Sequence, residues 1–173
     1  VSFELMKALL IIAPANFRDE ELFHTQEELE KAGIETAVAS SKRGTIRGML
    51  GGTAEAKILL SEVDTAQYDA VIFIGGSGAS VYYEDREAHR IAREAAKLGK
   101  VLGAICIAPG ILAKAGVLKG KKATIWNGQF IEILEAGGAT YTGKSVEIDG
   151  KIITANGPPT AREFGRAIVK ALR

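Results

Sequence analysis

The chain has 173 residues, of which 47% are hydrophobic and 25% are charged, the composition of an ordinary globular protein. Its 22 basic and 21 acidic residues leave a formal charge of +1, which gives no indication of binding to nucleic acid or to a membrane surface. A single cysteine excludes an internal disulfide and metal sites built from cysteine pairs, and it favours a reducing, cytoplasmic location. We therefore expect one domain over residues 1–173, with residues 1–6 as an N-terminal extension and no metal or other cofactor.

Continuous apolar runs are typical of strands in a parallel sheet that is covered on both faces. Five such runs occupy residues 8–14, 36–40, 70–74, 101–105 and 151–155. Helical patterns occupy residues 18–32, 84–98, 109–115, 129–135 and 159–172. This alternation predicts an α/β fold, a doubly wound three-layer α/β/α sandwich. Residues 44–57, which are polar and rich in glycine, predict a hairpin or an irregular excursion at the sheet edge. Residues 140–151, with an Asp149-Gly150 turn between β-prone segments, predict a second hairpin.

The segment around Cys106 is the most informative one, because a predicted strand runs into a helix that Pro109 can begin. A strand, a sharp turn and a helix in this order form a nucleophile elbow, which presents a side chain at the carboxyl end of a sheet. Free N–H groups of the following helix favour a thiolate, so we predict that Cys106 titrates below a free cysteine. The alternative is a cysteine that only fills the core.

A glycine-rich segment, Gly75-Gly76-Ser77-Gly78, follows the third predicted strand. Glycines let backbone N–H groups face an oxyanion beside the cysteine, and we expect Gly75, Gly76 and Ile107 to supply these groups. A nucleotide-binding loop is a weaker interpretation, because a dinucleotide fingerprint needs a third glycine. A plain loop that leaves the strand is the remaining alternative.

Five motifs follow one another along the chain: an acidic helix ending in Lys-Ala-Gly-Ile, a strand ending in Gly75-Gly76, the Ala104-Ile105-Cys106-x-x-Pro109 elbow, a strand that begins near Lys121 and Lys122, and a late Thr154-x-Asn-Gly-Pro158 segment. From about Lys7 to Leu172 the ordered set resembles the DJ-1/PfpI (ThiJ) superfamily. The resemblance implies a flavodoxin-like fold with a mainly parallel sheet. It also implies a homodimer or higher homo-oligomer, with the cysteine in a shallow pocket near the subunit interface.

The resemblance further implies a protonated glutamic acid on the first helix, placed against the cysteine. Counting back from Ala32 and Gly33 assigns this role to Glu21. A carboxyl buried beside a thiolate is expected to have a raised pKa. The alternative is that Glu21 only complements the positive end of the helix. Glu20, its neighbour, is expected to face solvent.

The sequence lacks the histidines that the resemblance leads one to expect. Hydrolase-like members carry a histidine directly after the cysteine, where this chain has Ile107, and DJ-1-like members carry one where it has Trp126. His24, on the first helix, is expected at the pocket rim or on the surface. We also expect Asn16, Trp126 and Asn156 near the pocket, with core packing as the alternative for Trp126.

Several functions are compatible with these residues. In the first, the Cys106 thiolate, assisted by Glu21, adds to a small reactive carbonyl such as methylglyoxal, as in glyoxalase III and deglycase activities of the family. The second is redox sensing or a stress response through oxidation of Cys106. The third is a PfpI-type intracellular cysteine peptidase or hydrolase, which Ile107 disfavours, and the fourth is a binding protein with an unused thiol. The expected substrate is a small-molecule carbonyl or a peptide.

Overall fold

The structure is a computed structural model that describes residues 5–173, so the extension predicted at residues 1–6 lies mostly outside the described residues. The strands, numbered in chain order, are β1 (Lys7–Ile11), β2 (Glu35–Ser40), β3 (Gly44–Arg47), β4 (Thr53–Ala56), β5 (Ile58–Leu59), β6 (Ala70–Phe73), β7 (Val101–Ile105), β8 (Lys122–Ala123), β9 (Thr140–Tyr141), β10 (Val146–Asp149) and β11 (Ile152–Ala155). Seven of them form a sheet with the order β10-β11-β7-β6-β1-β2-β5. All its neighbouring pairs are parallel except β10 and β11.

Helices cover both faces of this sheet. They are α1 (Asp19–Lys31), α2 (Arg86–Lys97), α3 (Pro109–Lys114), α4 (Ile131–Ala136) and α5 (Ala161–Leu172), with short 3-10 helices at Leu60–Glu62, Thr65–Gln67, Ser77–Tyr82 and Pro158–Thr160. Side chains of β1 alternate between the faces, as the pleat of a strand requires. Leu9 and Ile11 pack with α2 and α3, and Ala8 and Leu10 pack with α1 and α5. The predicted three-layer α/β/α sandwich is confirmed.

The two predicted hairpins differ in how closely they match the structure. Residues 44–57 contain the antiparallel pair β3 and β4, as predicted. The second hairpin consists of β10 and β11 and turns at Gly150, as predicted, with this glycine in the left-handed region at φ 63°. Its first strand begins at Val146, later than the predicted start at residue 140. Residues 140–141 pair in parallel with β8 instead. The presence of β-prone residues in this segment therefore did not reveal which strand each of them pairs with.

The turn between β3 and β4 is held against the start of α1 by Asp19. Its carboxylate accepts hydrogen bonds from the amides of Leu50, at 2.8 Å, and Gly52, at 2.7 Å. This contact places the turn residue Met49 over the carboxyl end of the sheet, where its sulfur accepts a hydrogen bond from the amide of Ser77 at 3.3 Å. The hairpin thus forms part of the wall around the candidate site.

Within residues 5–173, no helix has the length and apolarity needed to cross a membrane. The same part of the chain contains no cluster of three His, Cys, Asp or Glu side chains that could hold a metal ion. The single domain, the cytoplasmic location and the homo-oligomer stay predictions.

Candidate active site

Cys106 directly follows β7 and has a left-handed backbone conformation, with φ at 64°. Such a conformation is strained for a residue other than glycine and persists only where the surroundings hold it. Here the Cys106 amide donates to the carbonyl of Ala155 at 2.9 Å, and its carbonyl accepts from the amide of Trp126 at 2.8 Å. With α3 beginning at Pro109, these contacts build the sharp turn of a nucleophile elbow.

Glu21 lies in the first turn of α1 and is completely buried. Gly75, which follows β6, separates it from the cysteine: a Cβ atom added at Gly75 would lie 2.5 Å from both the Cys106 Cβ and the Glu21 Oε1. The start of α1 is tied to the same glycine, because the amide of Arg18 donates to the carbonyl of Gly75 at 3.0 Å. Glu20 instead forms an ion pair with Arg18 at 2.7 Å. Of the two neighbouring glutamic acids, only Glu21 points toward the cysteine.

A side chain at Gly75 is expected to disrupt this arrangement. The methyl group of Gly75→Ala cannot fit unless Cys106 or Glu21 moves, so we expect the free energy of unfolding to fall by about 1–3 kcal/mol. We also expect the alkylation rate of Cys106 to change. Both are measurable, by denaturant titration and by intact-mass kinetics with iodoacetamide. Gly128→Ala is the matched control, because its new Cβ would meet only the Trp126 ring at 3.7 Å; equal behaviour of the two variants would contradict the close packing at Gly75.

Burial raises the pKa of the Glu21 carboxyl to about 8. The Cys106 thiol, the Gly75 amide and the Arg18 guanidinium lower this pKa by smaller amounts. Neither carboxyl oxygen completes a hydrogen bond of ordinary geometry with the part of the chain that the structure describes. Because a buried carboxylate without partners is costly, the protonated form of Glu21 is favoured at neutral pH.

The predicted low pKa of Cys106 is wrong for these surroundings, because burial raises the pKa of the thiol to about 12. The negative charge of an ionised Glu21 acts in the same direction, whereas the amides of Gly76 and Ile107 lower the pKa. Helix α3 has only six residues and begins three positions after the cysteine. Its N-terminus therefore contributes less than the sequence pattern suggested.

Cys106 opens into a cavity of about 280 Å³. The cavity is lined by Arg18, Met49, Gly76, Ser77, Cys106, Ile107, Trp126, Phe130 and Pro158. Its walls are largely apolar, and Arg18 supplies a positive charge at the rim. The exposed fraction of Cys106 is 9%, and that of Trp126 is 44%, which excludes core packing for the indole. A cavity of this size admits a small organic molecule to the sulfur.

The sequence-predicted residues fall into two groups. Cys106, Gly76, Ile107 and Trp126 line the cavity, and Glu21 and Gly75 lie directly behind the sulfur. The amides of Gly75 and Gly76 have different targets, since the first interacts with the Glu21 carboxyl and the second with the sulfur.

The other predicted residues lie further away. His24 lines a neighbouring cavity of about 620 Å³. Asn16 is exposed, and its backbone bonds to the β3–β4 hairpin and to Gly78. Asn156 is half-buried and donates its amide to the carbonyl of Ser145 at 3.0 Å. Neither asparagine is part of the cavity wall at Cys106.

Sequence reasoning missed Arg18, Met49 and Phe130 in the cavity wall. Arg18 directly precedes the acidic first turn of α1, and a basic residue at that position is a signal that could have drawn attention. Met49 reaches the site only because the β3–β4 hairpin carries it there. Phe130 reaches the site because the chain passes the cavity directly before α4. Neither has a local sequence signal.

Comparison with known proteins identifies relatives over nearly the whole chain. The sequence profile described as the DJ-1/PfpI family matches residues 6–171. An uncharacterized protein of Methanocaldococcus jannaschii is 39% identical over 168 residues, which cover 96% of this chain and 82% of that protein. A deglycase of Pyrococcus abyssi is 32% identical, and the match covers 95% of this chain and 99% of that protein. A glutathione-independent glyoxalase of Caenorhabditis elegans is 27% identical, and the match covers 95% of this chain and 88% of that protein.

The fold comparison agrees with the sequence comparison. The crystal structure of a ThiJ/PfpI domain protein from Brachyspira murdochii superposes with a TM-score of 0.94 at 32% identity, and the match covers 98% of each chain. One assignment agrees with the mainly parallel sheet, with the order of helices and with the extent of the sequence and fold matches. The chain belongs to the DJ-1/PfpI family.

Proposed function

We propose that this protein is a glyoxalase- or deglycase-type enzyme that acts on small reactive carbonyls, with Cys106 as nucleophile and Glu21 as proton donor and acceptor. The observation that carries the proposal is the position of a cavity-lining cysteine and a fully buried carboxyl on either side of Gly75, whose added Cβ would lie 2.5 Å from each. The names of the relatives from P. abyssi and C. elegans support it, since one is a deglycase and the other a glyoxalase.

The proton shared by Glu21 and Cys106 supplies the nucleophile. The pair loses its first proton at the raised pKa of Glu21, about 8. Because the pKa of the thiol, about 12, is higher than that of the carboxyl, the singly ionised pair holds its remaining proton mainly on sulfur. The reactive form arises when the Glu21 carboxylate takes that proton and leaves the negative charge on the sulfur. That form is stabilised by the amides of Gly76 and Ile107, which interact with the sulfur, and it leaves no charge on the buried Glu21 oxygens.

Methylglyoxal illustrates the reaction. The thiolate attacks the aldehyde carbon, a C–S bond forms, and the oxygen takes the electron pair of the broken π bond and then the proton of Glu21. The Glu21 carboxylate removes the proton of the former aldehyde carbon, and the ketone oxygen takes up a proton as an enediol forms. The carboxyl then returns its proton to the adjacent carbon while the hydroxyl on the carbon that bears sulfur loses its own, which gives a lactoyl thioester. Water hydrolyses the thioester to lactate and restores the thiol. The sum is methylglyoxal plus water giving lactate, so no external oxidant or reductant is needed.

The described residues also bear on the peptidase alternative, which needs a base beside the cysteine. His24 lines the neighbouring cavity instead of the one at Cys106. His89 is on α2, and its Nε2 contacts the carbonyl oxygen of Tyr83 at 2.7 Å. The carbonyl reaction needs only the cysteine and the carboxyl, and the site supports it better.

The decisive experiment measures methylglyoxal consumption and lactate formation by the purified protein. We expect turnover by the wild type and its complete loss in Cys106→Ser, because the serine hydroxyl is a much weaker nucleophile than a thiolate. Glu20→Gln, which leaves both Cys106 and Glu21 in place, is the control variant. Absence of lactate with the wild type would refute the proposal. A gain of two oxygens at Cys106 under mild peroxide, without turnover, would favour the redox alternative.

A further inference from the structure

Tyr83 directly follows the 3-10 helix at Ser77–Tyr82, and its side chain is buried. Its hydroxyl donates a hydrogen bond of 2.7 Å to the carbonyl of Ile107, the residue after the candidate nucleophile. The two residues are 24 positions apart, so no local sequence pattern indicates this contact. The bond ties the segment that follows β6 to the elbow that follows β7.

These two segments carry the amides that interact with the sulfur of Cys106. One is the amide of Gly76, directly before the 3-10 helix, and the other is the amide of Ile107 itself. Both lower the pKa of the thiol. An amide does so only where its N–H group lies close to the sulfur and points at it. A hydrogen bond between the two segments therefore helps to fix both donors relative to the same atom.

Tyr83 is itself held from several sides. Its main-chain carbonyl lies 2.7 Å from Nε2 of His89, on α2, and this nitrogen must be the donor because a carbonyl only accepts. Its ring packs edge-on against Phe130 of the cavity wall, with the ring centroids 5.9 Å apart. On the side of α3, a Cβ atom added at Gly110 would lie 2.7 Å from the tyrosine hydroxyl. This packing leaves the hydroxyl little freedom to move away from the Ile107 carbonyl.

We propose that Tyr83 is a positioning residue for the Cys106 thiolate. Its hydroxyl holds the carbonyl of Ile107, so that the N–H group of the same residue stays directed at the sulfur. Burial raises the pKa of Tyr83, and the nearby Cys106 acts in the same direction, so the hydroxyl remains a donor where the thiol and Glu21 titrate. The inference rests on the proposed function only in taking Cys106 as the nucleophile. Tyr83 does not line the cavity and does not touch the substrate.

Removing the hydroxyl is expected to make the thiolate rarer without changing the pH at which the pair titrates. In the singly ionised pair, a less well directed Ile107 amide shifts the remaining proton further toward the sulfur. Above pH 8, iodoacetamide should therefore modify Tyr83→Phe about threefold to tenfold more slowly than the wild type, a part of what a charge-assisted hydrogen bond contributes. The midpoint should stay near the Glu21 pKa of about 8, because the carboxyl remains buried.

Tyr82→Phe is the matched control. The neighbouring tyrosine is also buried, and its hydroxyl also donates to a carbonyl at 2.7 Å, that of Ile12. Ile12 is not part of the cavity wall at Cys106. Both variants lose a buried hydrogen bond, so both are expected to unfold at a lower urea concentration than the wild type. Only Tyr83→Phe is expected to react more slowly with iodoacetamide, which separates positioning from a general contribution to the fold.

Gly110→Ala tests the same contact from the opposite side. Its new methyl group would displace the Tyr83 hydroxyl, so it should lower the alkylation rate as Tyr83→Phe does. In the double variant the two effects should not add, because both act through one hydrogen bond. Three results would each overturn the inference: an unchanged rate in Tyr83→Phe, an equal fall in Tyr82→Phe, or a Tyr83→Phe midpoint that moves away from pH 8.

Methylglyoxal kinetics separate this inference from the proposed function. With turnover in the wild type, Tyr83→Phe is expected to lower kcat and to leave KM unchanged, because the hydroxyl lies outside the cavity wall. If the wild type forms lactate and Tyr83→Phe matches it in kcat and in alkylation rate, the inference fails and the proposed function stands. If the wild type forms no lactate but Tyr83→Phe still reacts more slowly with iodoacetamide at an unchanged midpoint, the proposed function fails and the positioning role stands.

Discussion

Replacing Glu21 by glutamine is expected to slow the alkylation of Cys106 at pH 8 by about tenfold or more. In the wild type, the pair loses its first proton near the Glu21 pKa of about 8, and the reactive form carries the charge on sulfur. A glutamine amide can neither take the thiol proton nor hold a carboxyl proton against the thiolate, so the thiol must lose its proton to water against its burial, the largest cause of its raised pKa. Each unit by which the midpoint rises lowers the thiolate fraction about tenfold.

The measurement is the rate of modification by iodoacetamide between pH 5 and 11, followed by intact mass. The wild-type rate is expected to rise around pH 8. The Glu21→Gln rate should rise above that pH and below the wild-type Cys106 pKa of about 12, because the repulsion by an ionised Glu21 is gone. Glu20→Gln should follow the wild type, since that carboxylate pairs with Arg18. A faster reaction in Glu21→Gln at pH 8 would show that the ionised carboxyl only suppresses the thiolate, and it would overturn the proposed role of Glu21 as the base.

The second large effect concerns the dependence of stability on pH. Glu21 in the folded protein keeps its proton up to about pH 8, while in the unfolded chain it loses it near its ordinary pKa of about 4.5. Between these values unfolding releases a proton, so raising the pH favours the unfolded state. The contribution of Glu21 is fully present below about pH 4.5, and it is lost as the pH rises toward 8. The loss is on the order of 3–5 kcal/mol.

Urea unfolding at several pH values between 4.5 and 9 tests this expectation. The unfolding free energy of the wild type should fall relative to that of Glu21→Gln as the pH rises, because only the wild type carries the titrating carboxyl. Glu20→Gln serves again as the control. The ion pair with Arg18 lowers the Glu20 pKa, so its contribution is lost only at acid pH and stays constant over this range. Parallel curves for wild type and Glu21→Gln would show that the carboxyl is not buried as described.

The same burial explains both effects. The Glu21 side chain is enclosed by the sheet, α1 and the glycine loop. Its negative charge therefore lowers the stability of the folded protein, and its carboxyl accepts a proton readily in the reaction. A stabilising salt bridge at this position would serve the fold better, but it would abolish the proton exchange with Cys106 that we propose. The site thus trades stability at alkaline pH for a carboxyl that titrates near neutrality.

Much of the fold was predictable from local patterns. Continuous apolar runs identified five strands of the central sheet, because strands buried on both faces need no alternation. Glycines after the helical patterns marked where α1 and α2 end, since Gly33 and Gly99 adopt the left-handed conformation that closes a helix. The strand, Cys106 and Pro109 in sequence indicated the elbow. Glu21 was assigned only through the resemblance to the DJ-1/PfpI superfamily, because its position in an acidic helix turn has an equally simple local explanation.

The walls and the electrostatics of the site were decided by tertiary structure alone. Arg162 reaches Glu28 from 134 positions away, and Met49 reaches Ser77 from a separate hairpin. The pKa of Cys106 follows from how completely Gly75 and Glu21 exclude water, which a local turn pattern cannot express. Periodicity records which way a side chain faces within its own element. Burial, charge pairing and cavity shape depend on elements that the chain brings together from distant positions, so they emerge only when the layers pack.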